Sequence, residues 1–195
     1  MQEIQLVPMF PLAILPLPGE LVPLHIFEPR YRQLLQDAEQ HDIGFGIYFN
    51  HEMNKARIGS WMKLESVLKR YPGGESDIVV KCEDVFTMHT LYRNFKRKMY
   101  PGGTVQFRKV DQQELPGARL SELFRKYMVR RNITRHEAFF SIYTVAQLIN
   151  LDAAERYRFL NLENSHREQF LLQQLTWQMR LLDAEQKSRD VYQWN

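Results

Sequence analysis

The sequence has one cysteine (Cys82), no run of eighteen apolar residues, and no glycine or proline after residue 117. Each shortage excludes something. A lone cysteine makes no internal disulfide. The six histidines at 25, 41, 51, 89, 136 and 166 share no H-x₃-H spacing, so with Cys82 they supply no zinc ligand set. No cofactor or metal is expected. Without a long apolar run there is no membrane-spanning helix to place. The opening, MQEIQLVPMF, lacks a basic segment and carries an early glutamate, so it does not read as a signal peptide; with the single cysteine, this points to a reducing cytoplasm. Charge of one sign is scarce too. Twenty-six Lys and Arg face 23 Asp and Glu, a net +3, which is not the one-sided excess of a dedicated nucleic-acid binder.

Catalytic patterns are also missing. There is no G-x-x-x-x-G-K-[ST] loop to cradle phosphates and no G-x-S-x-G nucleophile turn. Gly44-Phe45-Gly46 is only a fragment of a dinucleotide-binding turn, with no third glycine opening a helix. The chain is therefore not expected to be an enzyme.

What is present suffices for a packed core: 44% hydrophobic and 12% aromatic residues. Every glycine and proline lies in residues 1–118, and residues 119–195 have neither. Since these residues punctuate turns, the first part is expected to be strands and loops and the second helices. The fold class is therefore α+β, a β-rich unit over 1–118 with one early helix, then a four-helix region over 119–195. The breaker Glu114-Leu115-Pro116-Gly117 marks the boundary.

Six of nine prolines fall in the first 29 residues, so Leu15–Leu35 is not expected to hold a regular sheet or helix before Glu28. Pro29 then suits a first helical position, and Tyr31, Leu34, Leu35 and Ala38 form one apolar stripe. Residues 43–50 and 61–70 read as strands, the second with Met62, Leu64 and Leu68 on its inner face. Asp77–Leu91 reads as a long strand whose alternation slips at Glu83-Asp84-Val85, which predicts a bulge there. The tetrad Tyr-Pro-Gly-Gly occurs at 71–74 and 100–103. It can mean two turns needing positive φ at glycine, or two basic-aromatic loops at one end of the sheet that meet a partner.

In the second part, Leu120, Leu123, Phe124, Tyr127 and Met128 form a helical stripe. Capping-box spacing begins at Thr134, Asp152 and Ser165, and Ala138–Ile149 is apolar enough for a buried helix. Leu172, Leu175, Met179 and Leu182 form the seam of the last helix.

Single residues carry two readings each. Cys82 on an apolar strand face reads as inert core, and His25 as a packed, hydrogen-bonded histidine. Glu28 and Arg30 can be an acid–base pair or fasteners between helix and sheet. Arg125–Arg135, RKYMVRRNITR, is a solvated helix face or a contact for an anionic partner such as RNA.

Met9-Phe10-Pro11-Leu12, Leu15-Pro16-Leu17-Pro18-Gly19 and Pro23-Leu24-His25-Ile26-Phe27-Glu28-Pro29-Arg30-Tyr31 together resemble the opening signature of the LON domain, the N-terminal substrate-recognition domain of the ATP-dependent protease Lon. That domain also occurs in stand-alone bacterial proteins and in cereblon. Arg57-Ile58-Gly59-Ser60 is similar to the family's Ile-Gly-Thr turn, and Thr144–Ile149 and Leu160–Leu182 resemble its helical half. Cys82-Glu83-Asp84-Val85 stands where the family often has Gly-x-x-Arg, and nothing resembles Lon's ATPase or protease domains. The resemblance implies a PUA-like, mostly antiparallel pseudo-barrel followed by helices, and a role in binding exposed segments of protein clients, with a separate protease or chaperone as a further partner. On that basis the expected site is an apolar groove between sheet and helices with a polar rim. Tyr71, Tyr92, Phe95, Arg97 and Tyr100 are candidate contacts, and RNA bound by the basic regions is the alternative. Pro23, Leu24, Ile26, Phe27, Glu28, Arg30 and Tyr31 are read as the structural signature. Within it, Glu28, Arg30 and Tyr31 are expected to clasp the helix to the barrel, and the prolines to bend and end an apolar strand without leaving an open edge.

Overall fold

The computed structural model describes residues 3–134 and 139–192. The chain forms two compact units, Met1–Gln112 and Gln113–Asn195. The first holds strands β1 (Ile4–Leu12), β2 (Leu21–Ile26), β3 (Phe45–Phe49), β4 (Ile58–Arg70), β5 (Ser76–Tyr92) and β6 (Gly102–Phe107), with helix α1 (Pro29–His41). The second holds α2 (Ala118–Arg130), α3 (Ile142–Leu148), α4 (Ala153–Asn161) and α5 (Asn164–Tyr192). The architecture is α+β.

Strand order is β2-β5-β4-β3-β1-β6, and β5 also pairs with β6. The ring β5-β4-β3-β1-β6 therefore closes on itself, with β2 on its flank. All pairings are antiparallel except β1 with β3. Closure works because β5 is 17 residues long: its first part pairs with β2 and its last part with β6. One extra residue, Glu83, bends it where Trp61 pairs with Asp84 but Met62 pairs with Cys82. The bulge stands where the alternation slips in the sequence.

Prolines prevent less than expected. Pro8 and Pro11 lie inside β1 and Pro23 inside β2, which are both strands. Pro23 is tolerated because β2 has a neighbour on one side only, so a missing N–H there breaks no ladder bond. β1 pairs with β6 over Ile4–Pro8 and with β3 over Met9–Leu12, at no position with both. The inner face of β4 also differs from the simple alternation. Met62 is buried and Leu64 partly so, but further register shifts at Leu64/Ser66 and Val67/Lys69 turn Leu68 outward, 65% exposed. Val67 packs on the core in its place.

Helix α1 begins at Pro29 and ends at His41, and the next residue, Asp42, caps it with a left-handed φ of 49°. Its stripe of Tyr31, Leu34, Leu35 and Ala38 is buried. Tyr31 stacks on Phe10 of β1 with ring centroids 3.9 Å apart. The clasp to the sheet is otherwise made by residues outside the expected set, among them Glu39, which pairs with Arg70 of β4, and Arg32. Arg32 donates to Phe27 O, Gly73 O and Glu75 Oε1 at 2.7, 2.7 and 3.0 Å, tying α1 to the β4–β5 turn. Glu28 and Arg30 pair with each other at 2.7 Å in the open and reach no strand.

The two Tyr-Pro-Gly-Gly tetrads have different structures. Gly74 has φ 92° and closes the β4–β5 turn. Gly102 and Gly103 instead start β6 with ordinary φ; a Cβ there would lie 2.9 Å from Phe95 Cδ2 or 2.7 Å from Met9 Cε. The tetrads flank opposite ends of β5, not one end of the sheet.

In the helical unit, α2 buries Leu120, Phe124 and Tyr127, and Tyr127 Oη donates to Gln178 Oε1 of α5 at 2.8 Å. Helix α3 is buried as expected but begins later, at Ile142, where the Ser141 hydroxyl accepts from Thr144 N–H. The capping box read at Thr134–Glu137 lies partly outside the described residues. Asp152 and Glu155 form a full capping box for α4. Helix α5 starts at Asn164, so Ser165 is in its first turn rather than its cap. The α5 seam runs through Arg167, Phe170, Leu171 and Leu175, rotated from the expected one by the burial of Leu171 in place of Leu172. No helix among the described residues is long and apolar enough to cross a membrane.

Candidate functional site

The β-unit carries an open groove of about 530 Å³. It lies where β1 and β3 part. The two strands pair from Met9/Gly46 onward. Before that point β1 turns to β6, while the chain enters β3 from the end of α1. Leu6, Val7 and Pro8 line one side, and His41, Asp42, Ile43 and Gly44 the other. Trp61 and Phe95 add aromatic surface. Trp61 lies so close to Gly44 that a Cβ there would be 2.5 Å from Trp61 Cζ2, and only glycine lets the indole settle on the backbone. Leu6 is 45% exposed, an apolar wall left open to solvent.

The rim is polar and built around Asp37. This carboxylate on α1 accepts from Tyr100 Oη at 2.7 Å and from Lys98 Nζ at 2.8 Å. Gln33 Oε1 accepts from Met99 N–H at 2.8 Å, so two turns of α1 hold the 93–101 loop in place. Phe95 stacks on Tyr100 within that loop. Burial on its own would raise the Asp37 carboxyl, but hydrogen bonds from Lys98 and Tyr100, with the Lys98 charge, outweigh it and hold it below the usual value. Burial, then the bond to Asp37, pushes the Tyr100 hydroxyl up, so it remains a donor.

The sign of the pH dependence follows. A carboxylate depressed in the folded state contributes stability above its unfolded value, near pH ~4, and loses it as pH falls through the lower folded value. Asp37→Asn is therefore expected to lower stability by about 1–3 kcal/mol near neutrality. Urea titrations at falling pH should show the gap to wild type narrowing below about pH 4. A constant gap would contradict this role for the charge.

The five expected contact residues do not converge. Phe95 and Tyr100 are buried in the core and meet the groove as its wall. Tyr92 and Arg97 are exposed, and neither lines the groove. Tyr71 stands at the other end of β5, where its hydroxyl donates to Asp77 Oδ2 at 2.7 Å and Asp77 Oδ1 meets His25 Nδ1 at 2.6 Å. His25 is hydrogen-bonded and its ring packs on those of Phe27 and Tyr71, with half of the side chain exposed. Burial raises the Cys82 thiol far above its ordinary range, so it stays protonated core.

Leu6, Asp37 and Trp61 were not singled out as contacts by sequence, and Lys98 only within the basic run ahead of the second tetrad. Asp37 had a signal: it stands three residues after Leu34, on the flank of the apolar stripe. The others are brought together by strand topology.

The basic helix is largely engaged. Lys126 pairs with Glu122 at 2.6 Å, Arg130 pairs with Asp183, and Arg125 lies over Phe140. A second hollow, lined by Arg130, Arg131, Leu182, Glu185 and Gln186, carries both signs of charge. Neither feature favours RNA. Among the described residues no three His, Cys, Asp or Glu side chains stand close enough to hold a metal ion.

No family model and no curated protein sequence matches the chain. Solved structures do. A Lon N-terminal domain protein from Xanthomonas campestris matches with TM-score 0.68 at 20% identity, over 89% of this chain and 98% of that one. The N-terminal domain of a Mycobacterium avium complex Lon protease matches with TM-score 0.57 at 17% identity, over 88% and 98%. The likeness spans both the strands and the helices, and the chain has the fold of the Lon N-terminal domain.

Proposed function

We propose that this protein is a non-catalytic module that captures exposed apolar segments of unfolded protein chains in the groove beside β1. The observation that carries the reading is the open apolar wall of Leu6, Trp61 and Phe95 under a rim of fixed polar groups, the usual composition of a peptide-binding cleft. The fold shared with Lon N-terminal domains supports a substrate-recognition role, and a separate protease or chaperone would act on what is captured. The candidate contacts Tyr92, at the end of β5, and Arg97, in the loop that follows, are exposed and would extend the contact beyond the groove.

Fluorescence anisotropy with a labelled, permanently unfolded model protein tests this. Binding in the micromolar range is expected, weakened only modestly by salt because apolar contact dominates. Leu6→Glu places a charge on the apolar wall without touching the buried core. It should reduce affinity at least ~10-fold, about 1.4 kcal/mol, with unchanged circular dichroism and melting. Equal binding by wild type and Leu6→Glu would remove the groove from the account. Affinity for structured RNA that falls steeply with log salt would favour a different function.

A further inference from the structure

We infer that the groove takes its client as an added β-strand: an extended apolar peptide with an acidic flank hydrogen-bonds to the open side of β1 at Ile4 and Leu6. This rests on the groove reading above and specifies the chemistry of the occupant. Backbone geometry carries it. Leu12 O accepts from Asn50 N–H on the β3 side, and Met9 N–H donates to Pro101 O on the β6 side. Successive residues of a strand point their N–H and C=O to opposite sides. Ile4, Leu6, Pro8, Phe10 and Leu12 therefore face β3, while Gln5, Val7 and Met9 face β6. But β3 starts only at Phe45 and pairs from Gly46, so its bonds to β1 reach no further back than the carbonyl of Pro8. Among the described residues no backbone hydrogen bond reaches Ile4 or Leu6 on that side.

The lining of the groove fits the same orientation. Leu6, Val7 and Pro8 all line it. A cleft facing one surface of a sheet would meet every second residue. Three in a row means that it runs along the strand's edge, beside the backbone. Pro8 sits where its missing N–H points to this open side, which leaves Ile4 and Leu6 as the donors and shortens the exposed edge.

Charge selects the flank. Lys63, Lys96 and Lys98 face the groove against Asp37 and Asp42. Lys98 is bonded to Asp37, and Lys63 stands 3.6 Å from Asp42. Lys96 lies over the Phe95 ring and has no carboxylate partner among the described residues. One cation is left over, which favours an acidic residue in the guest.

The probe is a labelled seven-residue peptide of alternating valine and threonine ending in glutamate, titrated with the full chain by anisotropy. A set of peptides each carrying one N-methylated amide reads the backbone directly. Methylation at alternate amides should weaken binding about tenfold per lost hydrogen bond, and methylation at the amides between should leave it unchanged. On the protein, Leu6→Pro removes a groove-side donor that β6 does not use, and Leu6→Ala removes the side chain alone. Leu6→Pro should bind about tenfold more weakly than Leu6→Ala, with both folded by circular dichroism. A flat methylation profile together with equal binding by Leu6→Pro and Leu6→Ala overturns strand addition. The groove reading then survives if Leu6→Glu still abolishes capture of the unfolded protein. Sedimentation showing a dimer that Leu6→Pro abolishes and Leu6→Ala keeps would equally overturn the proposed occupant, since a second copy would then fill the β1 edge.

Discussion

Gly59→Ala is expected to destabilise the protein by about 3 kcal/mol or more, although it adds one methyl group to a strand. An alanine Cβ at this position would lie 2.4 Å from Phe86 Cζ and 2.5 Å from Ile47 O. Neither neighbour can give way. Phe86 is fully buried among Val7, Met9, Met88 and Val105. Ile47 O belongs to β3, whose register against β4 would have to shift, and β3 has β1 on its other side. Urea denaturation followed by circular dichroism measures the loss. A change below ~1 kcal/mol would mean that the strands are not so tightly apposed. The Ile-Gly pair that resembles the LON signature is thereby explained as a close strand crossing.

The second large effect lies in the opening signature and separates its members. Tyr31→Ala is expected to cost about 3–5 kcal/mol, because it empties a buried site and removes the stack on Phe10. Glu28→Ala and Arg30→Ala should each cost under ~1 kcal/mol, since their ion pair is exposed and local. The same denaturation experiment decides it. If Glu28→Ala or Arg30→Ala matched Tyr31→Ala, the exposed pair would be holding the helix after all. The sequence grouped these three as one clasp; the structure divides them and adds Arg32.

That division shows what was legible. Tyr31 was visible because a helix repeats its buried face every three to four residues. Arg32 was not, because a lone arginine on the solvent side looks like any surface charge until the hairpin it reaches, some forty residues on, is in place. The Glu83 bulge was legible because one inserted residue flips the alternation of everything after it. The shifts around Leu64 to Lys69 were not, since two slips in six residues largely restore the pattern and only misplace Leu68. Identical tetrads at 71 and 100 adopted different structures because long-range packing against Phe95 and Met9, rather than turn geometry, requires the second pair of glycines. The groove was least legible. It exists because β1 exchanges one neighbour for another at Met9, and because Asp37 meets Tyr100 across 63 residues. Sheet topology and long-range pairing are not local properties, so periodicity does not report them.

If client chains are held at the groove beside β1, the contact must register on the amides that line it. A map of backbone amide chemical-shift changes by nuclear magnetic resonance, as an unfolded model protein is titrated into the full chain, decides this. The largest changes are expected at Leu6, Val7, Ile43, Gly44, Trp61 and Lys96. Changes confined to the helical unit, with those amides unmoved, would contradict it.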